Sequence, residues 1–202
     1  MNTLSPLVRG ALAVLVAAGT ALPCAAQSQE TPWLVRVRAV NLDSANKDST
    51  GLDLSINNKV IPELDISYFF TPQWSAELVL TYPQKQTVSA GNAEIGTLKH
   101  LPPTLTAQYH FTGLSGFVPY VGAGVNYTHF SNVNLPAGVD VKRNSYGLAA
   151  QVGVDVPLTK NLSLNVDVKK VQIRTDVSAG GATLGTFKID PLLVGVGLGW
   201  RF

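Results

Sequence analysis

Charged side chains recur at every second position in several segments of this 202-residue sequence. Arg36 and Arg38, for example, alternate with Val35 and Val37. Successive side chains of a β-strand point to opposite faces, so this spacing gathers the charges on one face. That face carries His110 and nine charged side chains, four positive and five negative: Arg36, Arg38, Lys169, Arg201, Glu63, Asp65, Glu77, Asp155 and Asp167. If this face lines a narrow enclosed space, the near balance of positive and negative charge favours a closure by salt bridges over an ion-selective pore. A polar constriction that steers a substrate is the alternative.

The remaining reactive residue types show no catalytic or metal-binding spacing. His100, His110 and His129 lie on separate segments, with no carboxylate or cysteine at ligand spacing. Ser44 and Lys47 match the S-x-x-K pattern, but the partner motifs of that class of enzyme do not occur. We therefore expect no enzyme activity, no cofactor and no metal.

Composition excludes several classes of protein. The formal net charge is +2 and no run of basic residues could follow a phosphate backbone, so nucleic-acid binding is not expected. Only 14% of the residues are charged, against roughly 25% in a typical soluble domain. A globule covered by water would therefore be short of polar surface. After residue 26 no stretch is apolar for the ~20 residues that a transmembrane helix needs. If this chain enters a membrane, it must cross as strands.

The first 26 residues have the composition of a cleaved secretory signal peptide. Arg9 supplies a positive charge, residues 11–22 form an apolar stretch, and Ala25 and Ala26 are the small residues before a cleavage site. A short buried helix is the alternative, but Pro23 would interrupt it. We therefore predict a signal peptide at 1–26 and one folded domain at 27–202.

The rest of the chain contains eight segments in which apolar and polar residues alternate, as in strands. These segments are 33–40, 63–70, 74–82, 101–111, 121–128, 145–156, 162–169 and 192–202. Short turns such as residues 71–73 alternate with longer polar connections. The pattern predicts an all-β fold, an eight-stranded antiparallel transmembrane β-barrel with short periplasmic turns and longer extracellular loops.

A water-soluble barrel of the lipocalin type shows the same alternation and is the main structural alternative. Glycines favour the membrane barrel, because they lie on the polar face, where a crowded barrel interior needs missing side chains. They are Gly122, Gly124, Gly147, Gly153, Gly195, Gly197 and Gly199. Aromatic residues near the ends of the apolar face also fit interfacial girdles. No internal repeat suggests a second domain.

One group of charged-face residues lies toward the short turns and is a candidate plug on the periplasmic side. Its members are Asp65, Glu77, His110, Asp155 and Arg201. A barrel closed there cannot simply conduct water-soluble solutes.

Pro102 and Pro103 lie where the upper part of the fourth strand is expected. Neither can donate a hydrogen bond to a neighbouring strand, so pairing should be interrupted locally. The gap is a candidate lateral opening. A strand that simply begins after Pro103 is an equally good interpretation.

Six short motifs carry a resemblance to a known family. They are DISYF at 65–69, HLPPTL at 100–105, QYHF at 108–111, PYVGAGVNYT at 119–128, QVGVD at 151–155 and WRF at 200–202. Together they resemble the OmpW family, over about residues 33–202. The resemblance implies an eight-stranded outer-membrane barrel with a narrow lumen, associated with passage of small hydrophobic molecules and, in some members, with use as a phage or bacteriocin receptor. It also implies lateral escape of the hydrophobic substrate through the wall, which suits a barrel closed on its periplasmic side because such a substrate prefers lipid to water.

The resemblance also implies roles for particular residues. Val79 and Lys169 stand where relatives are thought to place an apolar gate across the lumen, and Lys169 departs from that pattern because it is charged. Trp200 and Phe202 resemble the C-terminal signal by which the barrel-assembly machinery recognises its clients.

We therefore expect an outer-membrane channel of a Gram-negative bacterium that passively takes up small hydrophobic molecules, with lateral release into the membrane. Its expected partners are outer-membrane lipid and lipopolysaccharide, the barrel-assembly machinery, its hydrophobic substrates, and phage or bacteriocins. A surface structural or receptor protein without transport activity is one alternative. A soluble lipocalin-like carrier is the other.

Overall fold

The computed structural model describes residues 31–202, and the predicted signal peptide at 1–26 lies outside the described residues. Within this range the regular structure consists of fifteen strands: β1 (Trp33–Asp43), β2 (Lys47–Asp48), β3 (Leu54–Ile56), β4 (Lys59–Phe69), β5 (Trp74–Leu80), β6 (Gln84–Ala90), β7 (Ala93–Leu101), β8 (Thr104–His110), β9 (Val118–Asn134), β10 (Val139–Val141), β11 (Asn144–Pro157), β12 (Leu162–Val171), β13 (Arg174–Ala179), β14 (Ala182–Lys188) and β15 (Leu192–Arg201). No helix in the described range is long and apolar enough to cross a membrane.

Eight of these strands form a closed antiparallel barrel, which confirms the predicted fold. Their order around the barrel is β1, β4, β5, β8, β9, β11, β12 and β15, and β15 pairs with β1 to complete the circle. The register keeps charged residues on the inner face: Arg36 lies opposite Asp65 on β4 and opposite Gly199 on β15. Three short turns lie at one end of the barrel, the short-turn end, and the longer connections lie at the other, the long-loop end.

The barrel is apolar outside and polar inside. Outward-facing Val37, Leu148 and Tyr146 expose 58%, 62% and 81% of their surface, whereas inward-facing Arg36 and Asp65 expose none. Outward aromatic rings pack edge to face at the short-turn end, as an interfacial girdle requires: Trp33, Tyr68, Phe70, Trp74, Tyr109 and Phe111. A water-soluble carrier needs the opposite polarity, so the lipocalin-like alternative is excluded.

The connections at the long-loop end contain strands, which corrects the sequence analysis, where they were treated as loops. β6 and β7 form a hairpin that pairs with β3 and with the upper part of β9. β13 and β14 form a second hairpin that pairs with β10 and β2. Their inward-facing residues and those of neighbouring strands form an apolar upper cluster: Leu54, Ile56, Val88, Leu98, Phe130, Val141, Ala149, Val171, Ile173, Val177, Phe187 and Ile189.

The two hairpins are copies of each other, an internal repeat that the sequence analysis missed. SAGNAEIGTLK at 89–99 aligns with SAGGATLGTFK at 178–188, with seven identities in eleven positions. Gly91 turns the first hairpin and Gly180 with Gly181 turns the second, all at positive φ. Both hairpins also shift register at the same Val-Ser step. Gly-Asn and Gly-Gly between alternating segments are known hairpin signals, so the sequence did contain the pattern.

Gly124 on β9 lies where the main chain of the neighbouring strand leaves no room for a side chain. A Cβ on Gly124 would collide with the main-chain carbonyl oxygen of Leu105 on β8. We predict that Gly124→Ala costs about 1–3 kcal/mol of unfolding free energy, because the main chain of the neighbouring strand cannot move aside easily. Ala123→Val adds more volume, but Ala123 is exposed on the outer face, so it should cost little. Urea unfolding in lipid vesicles measures both variants, and equal losses would contradict the prediction.

Candidate functional site

The charged face of the barrel forms a connected ion-pair network in the lumen. Arg36 binds Asp155 through two nitrogens, with Nη2–Oδ2 at 2.7 Å and Nε–Oδ1 at 3.2 Å. Its Nη1 also lies 3.0 Å from Glu77 Oε2. All three side chains are buried. Because a planar guanidinium can serve two carboxylates at once, Arg36 links β1 to β5 and β11 across the lumen.

Arg38 and Lys169 extend this network. Arg38 Nη1 lies 2.7 Å from Asp65 Oδ2 and 3.0 Å from Glu63 Oε1. Arg38 Nη2 lies 3.5 Å from Glu77 Oε2, and Lys169 Nζ lies 3.2 Å from Glu63 Oε1. Neither Asp65 oxygen accepts a well-directed hydrogen bond despite the close approach of Arg38, so the attraction between opposite charges holds this carboxylate.

The network contains more carboxylates than cations. Three cations meet five carboxylates: Arg36, Arg38 and Lys169 with Glu63, Asp65, Glu77, Asp155 and Asp167. Neutral groups complete it, since Tyr120 donates to Asp167 at 2.9 Å and Asn165 Oδ1 accepts from Arg38 Nε at 2.7 Å. The sequence analysis did not single out Tyr120 or Asn165, although both have the parity of the inner face.

Three of the five residues predicted to form the plug belong to this network: Asp65, Glu77 and Asp155. The other two, His110 and Arg201, lie in a separate layer nearer the short-turn end. The His110 ring lies 4.7 Å from the Phe69 ring, and Arg201 Cζ lies 3.9 Å from the centre of the same ring. The structure thus places the five residues in two layers, and their role as a plug stays a prediction.

The two positions aligned with an apolar gate do not form an apolar pair. Val79 is buried on β5, opposite Asp65 of β4. Lys169 exposes 1% of its surface and is paired with Glu63. The apolar lining instead includes a group on β1 and β4 at the long-loop side of the network: Val40, Leu42 and Ile61.

Pro102 and Pro103 lie between two strands and not within one. β7 ends at Leu101 and β8 begins at Thr104, so the fourth strand starts after Pro103. We call this interruption the strand break.

An outer groove of about 710 Å³ lies beside the strand break. Its lining includes outward-facing Leu105 and Leu148 and also Pro103, Thr104 and Asn126. Thr104 and Asn126 are otherwise buried, and Asn126 Nδ2 donates to Thr104 Oγ1 at 2.9 Å and to the Pro103 carbonyl at 3.1 Å. At this point the lipid-facing surface therefore comes close to the inner face of the barrel.

Three fully buried polar side chains accompany the upper cluster on the inner face of the first hairpin. They are Gln84 and Gln86 on β6 and His100 on β7, and Gln84 lies opposite His100 in the register. The His100 ring lies 6.4 Å from the Phe130 ring. His100 lies outside the eight spanning strands, and burial together with the positive charge of Lys59 lowers its pKa to about 4. The imidazole is therefore neutral at pH 7.

Trp200 and Phe202, the predicted assembly signal, lie at the short-turn end and expose 50% and 55% of their surface. The Phe202 amide donates to the Trp33 carbonyl at 3.1 Å, which fastens the chain end to β1. Recognition by the assembly machinery stays a prediction.

The closed eight-stranded barrel, with its apolar wall and charged lumen, defines a small outer-membrane β-barrel protein of the Gram-negative type. The profile of the OmpW family matches residues 34–202, and the chain belongs to this family.

Similar proteins agree with this assignment. The chain is 43% identical to an uncharacterised outer-membrane protein, y4mB, of Sinorhizobium fredii, over 85% of this chain and 80% of that one. It is 35% identical to outer membrane protein W of Vibrio cholerae, over 95% and 97%. Among solved structures it resembles the outer membrane protein OprG of Pseudomonas aeruginosa, with a TM-score of 0.73, 27% identity, and coverage of 85% and 96%.

Arg38 is the residue whose loss should weaken the network most. Arg38→Met removes the cation nearest Asp65 and leaves that carboxylate buried, so we predict a loss of about 3–5 kcal/mol in unfolding free energy. Lys160→Met is the matched control, because Lys160 is exposed in a short turn. Urea unfolding in lipid vesicles at pH 7.5 checks both. A loss no larger than that of the control would show that the network contributes little to stability.

His100 makes stability depend on pH. Its pKa in the folded protein, about 4, is below the ordinary value of 6.5, so the unfolded chain binds more protons between these values. The stability that a neutral His100 contributes is therefore fully present above pH 6.5 and is lost as the pH falls toward 4. The expected loss is up to about 3 kcal/mol, at about 1.36 kcal/mol per pKa unit. His100→Ile removes this contribution. Urea midpoints of both proteins at pH 7.5 and 4.5 test it, and an equal decrease in both would contradict it.

Proposed function

We propose that the protein is a passive channel for small hydrophobic molecules, which enter at the extracellular, long-loop end and leave sideways at the strand break into the membrane. The observation that carries this proposal is the change of lining along the barrel. The upper cluster is apolar, whereas the ion-pair network fills the lumen below it with charge. An apolar molecule is stable in the first environment and unstable against buried charges in the second.

The outer groove supports the second half of this route. Pro102 and Pro103 have no amide hydrogen to donate, so the wall is held less tightly there than along a paired strand. The outward-facing groove residues Leu105 and Leu148 are apolar, which suits a molecule that moves from protein into lipid. The driving force is the preference of the substrate for hydrocarbon over water, so the route needs no energy source and no covalent chemistry.

The charge network also supports selectivity against water-soluble solutes. Arg36, Arg38 and the carboxylates bound to them expose almost no surface, so the lumen offers no wide hydrated path at their level. Opening such a path would require these ion pairs to separate, at a cost of several kcal/mol each.

A groove-filling substitution tests the sideways route. Leu148→Trp puts a large ring into the outer groove and should slow uptake of a hydrocarbon such as octane several-fold in cells that otherwise lack the protein. Val152→Trp is the matched control, because Val152 faces outward on the same strand but does not line the groove. Uptake of a hydrophilic solute should be the same with and without the protein. If octane uptake is equal in cells with and without the protein, the transport proposal is wrong, and if only the Leu148→Trp effect is missing, the sideways route is wrong.

A further inference from the structure

Gln84, Gln86 and His100 carry five buried polar atoms without a hydrogen-bond partner among the described residues. These atoms are Gln84 Oε1, both amide atoms of Gln86, and both ring nitrogens of His100. A buried polar atom without a partner lowers the stability of the fold, because it has lost its hydrogen bonds to water and gained none in return. Five of them in three neighbouring side chains indicate a group that forms its hydrogen bonds with something other than this chain.

The second hairpin shows that the fold does not need polar residues at these places. In the repeat, Gln84 corresponds to Ile173 and His100 corresponds to Ile189. Both isoleucines are buried, and they are joined by the hydrogen bond from the Ile189 amide to the Ile173 carbonyl at 2.9 Å. The same hairpin position is thus apolar in one copy and polar in the other.

The third polar residue follows the same contrast. Gln86 corresponds to Thr175, whose hydroxyl donates to the Lys142 carbonyl at 2.8 Å. Thr175 is therefore satisfied by the main chain, whereas neither amide atom of Gln86 is. Of the two hairpins, only the first carries buried polar side-chain atoms without a partner. This hairpin adjoins the strand break, since His100 is followed directly by Leu101 and the two prolines.

We propose that Gln84, Gln86 and His100 form a hydrogen-bonding subsite for neutral amphiphilic molecules, those with a small apolar body and one hydroxyl or carbonyl group. This inference rests on the proposed transport route and names the class of substrates that the route selects. The apolar body packs against Phe130 and Leu98 of the upper cluster, while the polar group pairs with the amides and the imidazole.

The chemistry of the three side chains selects for a neutral group that can both donate and accept. Each glutamine amide offers donors and an acceptor, and a neutral imidazole offers one of each. The low pKa of His100 agrees with this, because an uncharged ring gives an anion no charge to pair with. The subsite is closed in this structure, since all three side chains are fully buried, and a ligand reaches it only when the neighbouring side chains or the strand break move.

Toluene and 4-methylphenol make a matched pair of probes, because they differ by one hydroxyl group. The mature protein, refolded in lipid nanodiscs, is labelled with ¹⁵N at its histidines and titrated with each compound. We expect 4-methylphenol to shift the His100 ring signals in a saturable way, at concentrations at least tenfold lower than toluene. The signals of His110 and His129 should not move.

The second hairpin supplies the residues for a variant that tests the subsite. Q84I/H100I installs the residues of the repeat, and its preference for 4-methylphenol over toluene in uptake should fall at least tenfold while toluene uptake is retained. The same variant should unfold at higher urea concentration than the natural chain at pH 7.5, because unpaired polar atoms have been removed. Gln73→Ile, in a short turn at the far end of the barrel, is the control and should change neither the preference nor the toluene uptake.

The outcomes separate this inference from the proposed function. If both compounds enter through the protein but Q84I/H100I keeps the preference of the natural chain, the three residues hold structural water and the subsite is wrong, while the channel stands. If neither compound needs the protein to enter, the channel is wrong, and the titration alone decides the subsite. Absence of a selective His100 shift overturns the subsite in either case.

Discussion

Arg36 and Arg38 hold the interior of the barrel together. These two side chains on β1 contact carboxylates on β4, β5, β11 and β12, so one strand binds four others across the lumen. Removing charges from water is costly, and in a barrel of eight strands there is no room for bulk water around them. The cost is offset only if the inward-facing cations and carboxylates meet in good geometry. The register of β1 between β4 and β15 places them to do so.

This constraint divides the barrel into two environments. The ion-pair network and the aromatic layer of Phe69 and His110 occupy the periplasmic half, and the upper cluster occupies the extracellular half. A hydrophobic molecule that enters from outside therefore meets a favourable environment first and an unfavourable one second. The strand break lies between β7 and β8 beside the outer groove, and in the proposed route it is the exit for such a molecule.

The repeat of the two hairpins gives the chain an internal comparison. Both copies share the turn, the register shift and the buried residues Leu98 and Phe187 at matching positions, so these features serve the fold. The copies differ at Gln84 and His100, which are isoleucines in the second hairpin. The buried isoleucines of the second hairpin show that the fold does not require polar residues at these positions, and the proposed subsite accounts for the difference.

The sequence alone determined the barrel, its polarity and the inward position of the charges, because alternation with period two depends only on which face of a strand a residue occupies. The hairpins at the long-loop end were predicted as loops because their polar residues resemble those of a loop, although the Gly-Asn and Gly-Gly turns and the repeat between the two hairpins are present in the sequence. Tertiary structure decided which charges meet. Parity places Asp65, Glu77 and Arg201 on the same face, but the stagger of tilted strands around a closed barrel determines that the two carboxylates reach the arginines of β1 while Arg201 lies against Phe69.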